Sequence, residues 1–352
     1  MYNDYDVIVS GGIEIHGIKA NAIQHRRLMS VPVLEEYKFI ANRDKAQTSL
    51  EEMIILSTQI ALESHIINTP KILEVIDQEE KVPTEETLTP IFMKVLSNIP
   101  MIRPNLTLAA ESERGEKLLL PENITVITPK KLPEDASIFI AAAHNILSNK
   151  STDILEQLLA ATMGHGFILL RESVVNKDTF SYLEACDLNV VLEKSFKNQT
   201  LLLLKKAEKP PQKTEVIYVN NNEFTWLEDV KKVLNNEKDK NSNETVRLIL
   251  VAEGDMENGV LGLVKCLRRE PNGEIVKTVI IQDENAPKFS LKDPFYSKQL
   301  DIDISYNVLR PGKIWGTYKH VPYPELRPTL TSHGYANLRV RKYFLLFKTK
   351  NL

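Results

Sequence analysis

Apolar and polar positions along the chain follow two different periods, and the change from one to the other divides it. Two short strand-like runs, Asp6-Val-Ile-Val-Ser10 and Ile13-Glu-Ile-His-Gly17, flank Gly11-Gly12 and read as strands about a glycine turn. Val33 to Ile40 is a further strand-like run, reached through Arg26, Arg27 and Pro32. Ser49-Leu-Glu-Glu52 has the form of a capping box, with Ser49 as N-cap and Glu52 reaching back. Behind it Met53, Leu56, Ile60 and Ile67 recur at helical spacing, which predicts a helix ending before Pro70. After the polar stretch Asp77–Lys81, Thr89 as cap and Pro90 in the first turn predict a second helix. Its apolar face holds Ile91, Val95 and Leu96.

From about residue 117 strand and helix alternate. Leu118–Leu120, Ile124–Ile127 and the apolar run Ile138–Ala143 read as strands. Thr152 to Met163 is amphipathic, and Gly164 stands where a helix C-cap glycine belongs. Gly166–Leu170 is the next buried strand, and Leu188–Leu192 with Thr200–Leu204 predict an antiparallel hairpin about Phe196–Gln199. This sequence of elements suggests the latter half of a mostly parallel doubly wound sheet. Lys206–Lys213, charged and carrying Pro210-Pro211, is the clearest linker. A second α/β unit follows, with strands at Val216–Val219, Val246–Ala252 and Val276–Ile281 and helices at Trp226–Leu234 and Asn258–Arg269. Ile302–Leu309 and Lys313–His320 pair around Arg310-Pro-Gly312, and the tail from Asn337 shows no clear period.

Composition then narrows the class. Apolar residues at 43% and charged residues at 26% fit a globular protein, and 352 residues suggest two domains. A net charge of −3 offers no basic footprint for nucleic acid. Two distant cysteines, no signal-peptide pattern at the start and no apolar stretch of membrane-spanning length lead to the expectation of a cytoplasmic chain with no membrane partner. Glycine numbers only 13, where average usage of roughly 7% would give about 25. Phosphate-cradling turns need glycine, so cofactor-enzyme readings weaken.

The motif search agrees. The chain has no G-x-G-x-x-G, P-loop, G-x-S-x-G, H-E-x-x-H, C-x-x-C or Tyr-x-x-x-Lys. Gly164-His-Gly166 precedes a strand, the reverse of the dinucleotide arrangement. His144 ends a buried strand where a base could stand, against the plainer reading of a strand-end histidine. His165 reads as a turn residue, and Glu172 could meet a ligand, against the plainer reading of a solvated strand-end carboxylate. Cys186 and Cys266 read as small apolar fillers, the latter on a helix face with Leu263 and Leu267. Trp226 and Trp315 read as anchors of a core or interface. Lys265, Arg268 and Arg269 could bind phosphate, but dipole and solvation explain basic residues at a helix end. No catalytic, cofactor-binding or metal-ligating residue is assigned.

One segment is distinctive. Asn258-Gly-Val-Leu-Gly-Leu-Val-Lys-Cys-Leu-Arg-Arg-Glu-Pro-Asn-Gly273 resembles the pseudo-ketoreductase of animal-type (insect-like) fatty acid synthase. Phe224-Thr-Trp-Leu-Glu228, Lys194-Ser-Phe-Lys-Asn-Gln-Thr-Leu201, Trp315-Gly-Thr-Tyr-Lys-His320 and the strands Val7 to Gly17 resemble other stretches of that multienzyme in order and spacing. The likeness spans roughly 5–40 and 137–325. It implies dehydratase C-terminal strands and linker over 1–44, a degenerate methyltransferase-like domain over 45–206 and a linker at 207–213. A pseudo-ketoreductase structural domain over 214–325 and a diverged tail over 326–352 would follow. The fold expected is α/β, with two doubly wound, Rossmann-like units, the first truncated.

The resemblance also implies a function. The chain would be a non-catalytic structural segment of a multifunctional enzyme of fatty acid biosynthesis, either a piece of it or a truncated gene product. It would bind no cofactor. Its partners would be the catalytic ketoreductase half and the enoyl reductase, with self-association through surface those partners leave bare. The alternatives are a divergent S-adenosylmethionine-dependent methyltransferase and a free-standing regulator that binds the full synthase. The first-strand acidic residue and G-x-G that such a methyltransferase uses are not found in the sequence pattern.

Overall fold

The computed structural model of the chain describes residues 7–16, 34–77, 82–110, 124–129, 132–220, 223–238, 245–254, 259–323, 335–341 and 344–350. Residues 1–34 and 35–352 form separate units. In the first, β1 (Val7–Ser10) and β2 (Ile13–His16) make the expected antiparallel hairpin. Gly11 and Gly12 turn it with φ of 54° and 84°, a backbone that other residues rarely adopt. Arg26, Arg27, Pro32 and Leu118–Leu120 lie outside the described residues.

The second unit carries two large sheets, here called two lobes. β3 (Glu35–Ala41) and β4 (Arg43–Gln47) follow one another with only Asn42 between them. They are followed by α1 (Leu50–Ser64), β5 (Lys71–Val75), α2 (Leu88–Ser97), β6 (Asn105–Ala109), β7 (Ile124–Ile127) and β8 (Ile138–His144). α3 (Thr152–Ala161), β9 (Thr162–Glu172), α4 (Lys177–Ala185), β10 (Leu188–Phe196) and β11 (Gln199–Lys206) complete the first lobe. Its eight strands run in the order β4-β10-β11-β9-β8-β5-β6-β7. β7, β6, β5, β8 and β9 are mutually parallel, and the β10–β11 hairpin is antiparallel to β9. Counted from β5, the parallel part reads 3-2-1-4-5, the doubly wound order.

Residues alternate between the two faces of this sheet. Ile72, Ile140, Ala142 and Leu169 pack under α1 and α2, whereas Leu73, Ala141, Ala143 and Leu170 pack under α3 and α4. Burial on both faces explains why these strands read as continuous apolar runs rather than alternating ones. The half of the sheet formed by β5 and β6, which the sequence pattern left unread, is present.

The second lobe holds β12 (Lys213–Tyr218), α5 (Trp226–Lys238), β13 (Val246–Glu253), α6 (Val260–Leu267), β14 (Val276–Ile281), α7 (Pro294–Asp301), β15 (Tyr306–Arg310) and β16 (Ile314–Pro322). Its strand order is β12-β13-β14-β15-β16-β3, parallel as far as β15 and antiparallel from there. α5 and α6 cover one face and α7 the other. Gly273 is required by close approach: a Cβ there would stand 1.7 Å from the Leu267 carbonyl oxygen. Both lobes are therefore α/β doubly wound units.

Several expectations change. Glu35–Ala41, expected within a segment of dehydratase strands and linker, is the last strand of the second sheet, paired from Ala41↔Gly316 to Glu35↔Pro322. Gly164 caps no helix. α3 ends at Ala161 with Thr162 as its C-cap, whose hydroxyl donates to the Leu158 carbonyl at 2.6 Å, and Gly164 already lies inside β9. α2 begins at Leu88 behind Thr87, so Thr89 sits within its first turn and is not the cap. Ser49 does cap α1, accepting from the Glu52 amide at 3.0 Å. The tail forms a hairpin, β17 (Tyr335–Arg341) with β18 (Phe344–Lys350).

Candidate functional site at the switch point of the first sheet

Strand order reverses between β5 and β8: from β5 the chain moves to β6 on one side, and from β8 to β9 on the other. In open α/β sheets a ligand crevice lies at the carboxyl ends of the strands flanking such a point. Those ends carry Glu74 on β5 and His144 on β8, with Arg171 and Glu172 on neighbouring β9.

Glu74 is 0% and His144 1% exposed, and His144 Nε2 lies 2.8 Å from Glu74 Oε1. The same carboxylate accepts the amides of Leu88 at 2.8 Å and Thr89 at 2.6 Å, and the Thr89 hydroxyl at 2.6 Å. Glu74 thus serves as the cap of α2, where Thr87 makes no side-chain bond. It satisfies amides that a helix N-terminus otherwise leaves open and sets a negative charge at the positive end of the dipole. Burial pushes the Glu74 carboxyl up. The hydrogen bond and charge of His144, with Thr89 and Leu88, more than reverse this and leave it below its ordinary value.

Beside this pair, Glu86 on a one-turn 3-10 helix (Thr84–Glu86) bonds Arg171 and Lys197. Chiefly the Lys197 hydrogen bond, with Arg171, holds the Glu86 carboxyl below its ordinary value. Arg171 is buried and lies 5.3 Å above the ring of Phe196. Glu172 is fully buried, not solvated as the sequence suggested. It accepts the amides of Leu147 and Ser148 at 3.1 and 2.9 Å and the Ser148 hydroxyl at 2.7 Å. Burial keeps its carboxyl above the ordinary value despite those bonds. Asn145, at φ 52°, accepts from the amide and hydroxyl of Ser173 at 2.8 and 2.7 Å, tying the β8 loop to the end of β9.

The crevice of a doubly wound sheet is therefore filled here by the protein's own polar groups. Contrary to the sequence pattern, the first strand does carry an acidic residue near its end, Glu74, but both of its oxygens are engaged. The sequence after β5 reads Ile76-Asp-Gln-Glu-Glu-Lys81, without a glycine to bring the backbone against a ligand. These residues do not fit S-adenosylmethionine as the family resemblance would place it. In the second lobe the stretch from Lys213 to Glu253 likewise holds no glycine, so no dinucleotide turn follows β12. A cavity of about 530 Å³ lies to one side, lined by Ile146, Leu147, Leu155, Val174 and Tyr182 among others. No group of three or more potential metal ligands occurs among the described residues, and no helix there is long and apolar enough to cross a membrane.

Other residues weighed in the sequence are placed plainly. His165 is a strand residue of β9, bonded to Glu208 at 2.7 Å. Cys186 is half-buried at the end of α4, while Cys266 is exposed and fills nothing. Trp226 anchors the second core and donates to the Asn220 carbonyl at 3.0 Å. Trp315 packs on Phe295 with ring centroids 5.5 Å apart. Arg268 is buried, and its guanidinium donates to the carbonyls of Glu63, Ser64, Glu274 and Val276, so it is spent on structure. Lys265 lies 3.4 Å from Glu63, and Arg269 is exposed.

Residues 223–323 match the family model described as "Fatty acid synthase, pseudo-KR domain". The distinctive Asn258–Gly273 segment falls inside that match, which supports a segment of fatty acid synthase type there. Among solved structures, a protein of the NADB-Rossmann superfamily from Streptococcus agalactiae is similar at 14% identity, covering 52% of this chain and 83% of its own, with a TM-score of 0.29. The CurJ carbon methyltransferase is similar at 11% identity over 45% of this chain and 54% of its own, TM-score 0.32. A SAM-dependent methyltransferase from Aquifex aeolicus is similar at 12% identity over 44% and 90%, TM-score 0.31. The fold assignment rests on the strand orders given above.

Proposed function

We propose that the chain acts as a non-catalytic structural segment of a multifunctional fatty acid synthase, holding the reductase and dehydratase modules of that enzyme in place. The observation that carries this reading is the pseudo-KR match over 223–323. The closed switch point of the first sheet supports it: the groups that would receive a cofactor cap a helix and pair with one another. In the layout we propose, 45–206 is a degenerate methyltransferase-like domain and 214–325 the pseudo-ketoreductase domain, to which Glu35–Ala41 adds a strand. The partners are the catalytic ketoreductase half and the enoyl reductase, in the cytoplasm. The open edge of β12, with Tyr218 and the nearby Phe224 exposed, favours a further protein surface there.

Isothermal titration of the chain with S-adenosylmethionine and with NADPH tests the reading, together with capture of a separately made catalytic ketoreductase half. Expected are no heat from either cofactor and retention of the reductase half. Micromolar binding of either cofactor, or no retention, overturns it.

A further inference from the structure

The two lobes meet along a cleft of about 350 Å³ at the C-terminal end of α1, the start of β9 and the end of β11. Lys205, Lys277 and Arg247 converge there on a single carboxylate, Asp303. Lys205 Nζ is 3.1 Å from its Oδ2, Arg247 3.3 Å from its Oδ1, and Lys277 bonds it as well. The three cationic side chains are only 3%, 12% and 11% exposed. Arg268, a fourth buried cation on the same cleft, bonds backbone carbonyls only. The second carboxylate is the half-buried Glu208, 2.9 Å from Lys205 and 2.7 Å from His165. At the rim Lys209 and Glu274 are exposed.

Four largely buried cations thus face two partly exposed carboxylates. An uncompensated charge of that size is costly away from water, and proteins pair it. Of the other nearby titratable groups, His65 and His165 carry no negative charge in either form, Glu63 pairs with Lys265 and Lys319, and Glu274 is exposed at the rim with Lys209. His65 is held down to about 4 by burial first and by His165, Lys205 and Arg268 after it. Lys277 shows the same excess: burial holds it down to about 8 although Asp303 pulls the other way, with Lys205 and Arg247 adding repulsion. Donors remain available. Among the described residues Lys277 uses two of its three N–H groups and Arg247 two of its five.

We propose that this cleft binds a tetrahedral oxyanion of the phosphate or sulfate class, taken up by Lys277 and Arg247 with Lys205 and Arg268 behind them. The anion joins the two lobes by supplying the negative charge their facing surfaces lack. The site is separate from the sheet crevice and independent of the synthase reading.

Thermal unfolding of the full chain at constant ionic strength tests it, with sodium chloride replaced stepwise by sodium phosphate or sodium sulfate. A ligand of the native state raises the midpoint in proportion to ln(1 + [L]/Kd). Expected is a rise of this logarithmic form with phosphate and sulfate that chloride does not give, with an apparent Kd at least tenfold higher in Lys277→Met and in Arg247→Gln. Lys232→Met, on an exposed part of α5, keeps the full response. Phosphate and sulfate curves that superimpose on chloride overturn the proposal, as does an undiminished response in both cleft variants. Direct titration of phosphate into whichever cleft variant folds gives the same decision if the other does not fold.

Discussion

The two lobes bury charge in opposite places. In the first, Glu74, His144, Glu86, Arg171 and Glu172 gather at the carboxyl ends of the central strands, where an α/β sheet ordinarily opens to a ligand. In the second, buried charge lies at the joint: Arg268, Lys277 and Lys319 all reach toward α1 or the loop before β15. One lobe uses its polar groups to seal itself, the other to attach itself. A sheet crevice and a lobe interface look alike in a sequence, since each is a polar residue in an apolar run. Only the partner distinguishes them.

The largest effect should come from breaking the seal. Glu74→Ala leaves His144 and two helix amides unpaired in a dry site and should cost about 3–5 kcal/mol, read by urea unfolding. A loss under ~1 kcal/mol would mean that the seal is decorative. Breaking the attachment should cost less. Arg268→Leu keeps much of the packing but strips four carbonyls of their donor, for an expected loss of about 1–3 kcal/mol. A larger loss there than at Glu74 would reverse the comparison.

The smallest effect lies within the seal, in its response to acid. Glu74 sits below its ordinary value, so its contribution is complete above that value and is lost as pH falls through the lowered one. Glu172 sits above its ordinary value: the folded chain takes up its proton first, and stability gains as pH falls through that raised value. The stability of Glu172→Gln should therefore fall more steeply from pH 7 toward 5 than that of the parent chain. Parallel curves would show that Glu172 carries no such linkage.

The same polar groups explain what the sequence revealed and what it hid. β8, β9 and the β10–β11 hairpin were legible because their apolar runs continue unbroken across both faces. β5 was not, since Glu74 interrupts Ile72, Leu73 and Val75, and nothing local says that its partner is His144 seventy residues on. The start of α2 was misplaced for the same reason: its cap comes from another element, fourteen residues upstream of Leu88. Gly164 suggested a helix stop, but the Thr162 hydroxyl ends the helix and the strand begins at once. Arg268 was noticed as a basic residue at a helix end, yet its destination on α1 is a long-range fact. The pseudo-ketoreductase segment was the most legible part of the function, through the residues of Asn258–Gly273.

Asn42 links the lobes by main chain alone. Its amide donates to the Trp315 carbonyl at 2.9 Å in the second sheet, and its carbonyl accepts the Glu193 amide at 2.7 Å in the first. The strand just before it closes the second sheet against partners about 275 residues downstream. On a ribosome adding roughly 5–20 residues per second, β3 therefore emerges on the order of 15–60 seconds before the strand it pairs with. Over that interval the first lobe can assemble while the second cannot, and Glu35–Ala41 presents an unpaired edge to whatever it meets. The lobe that attaches itself is thus the last to form, and the first lobe is the template on which it closes.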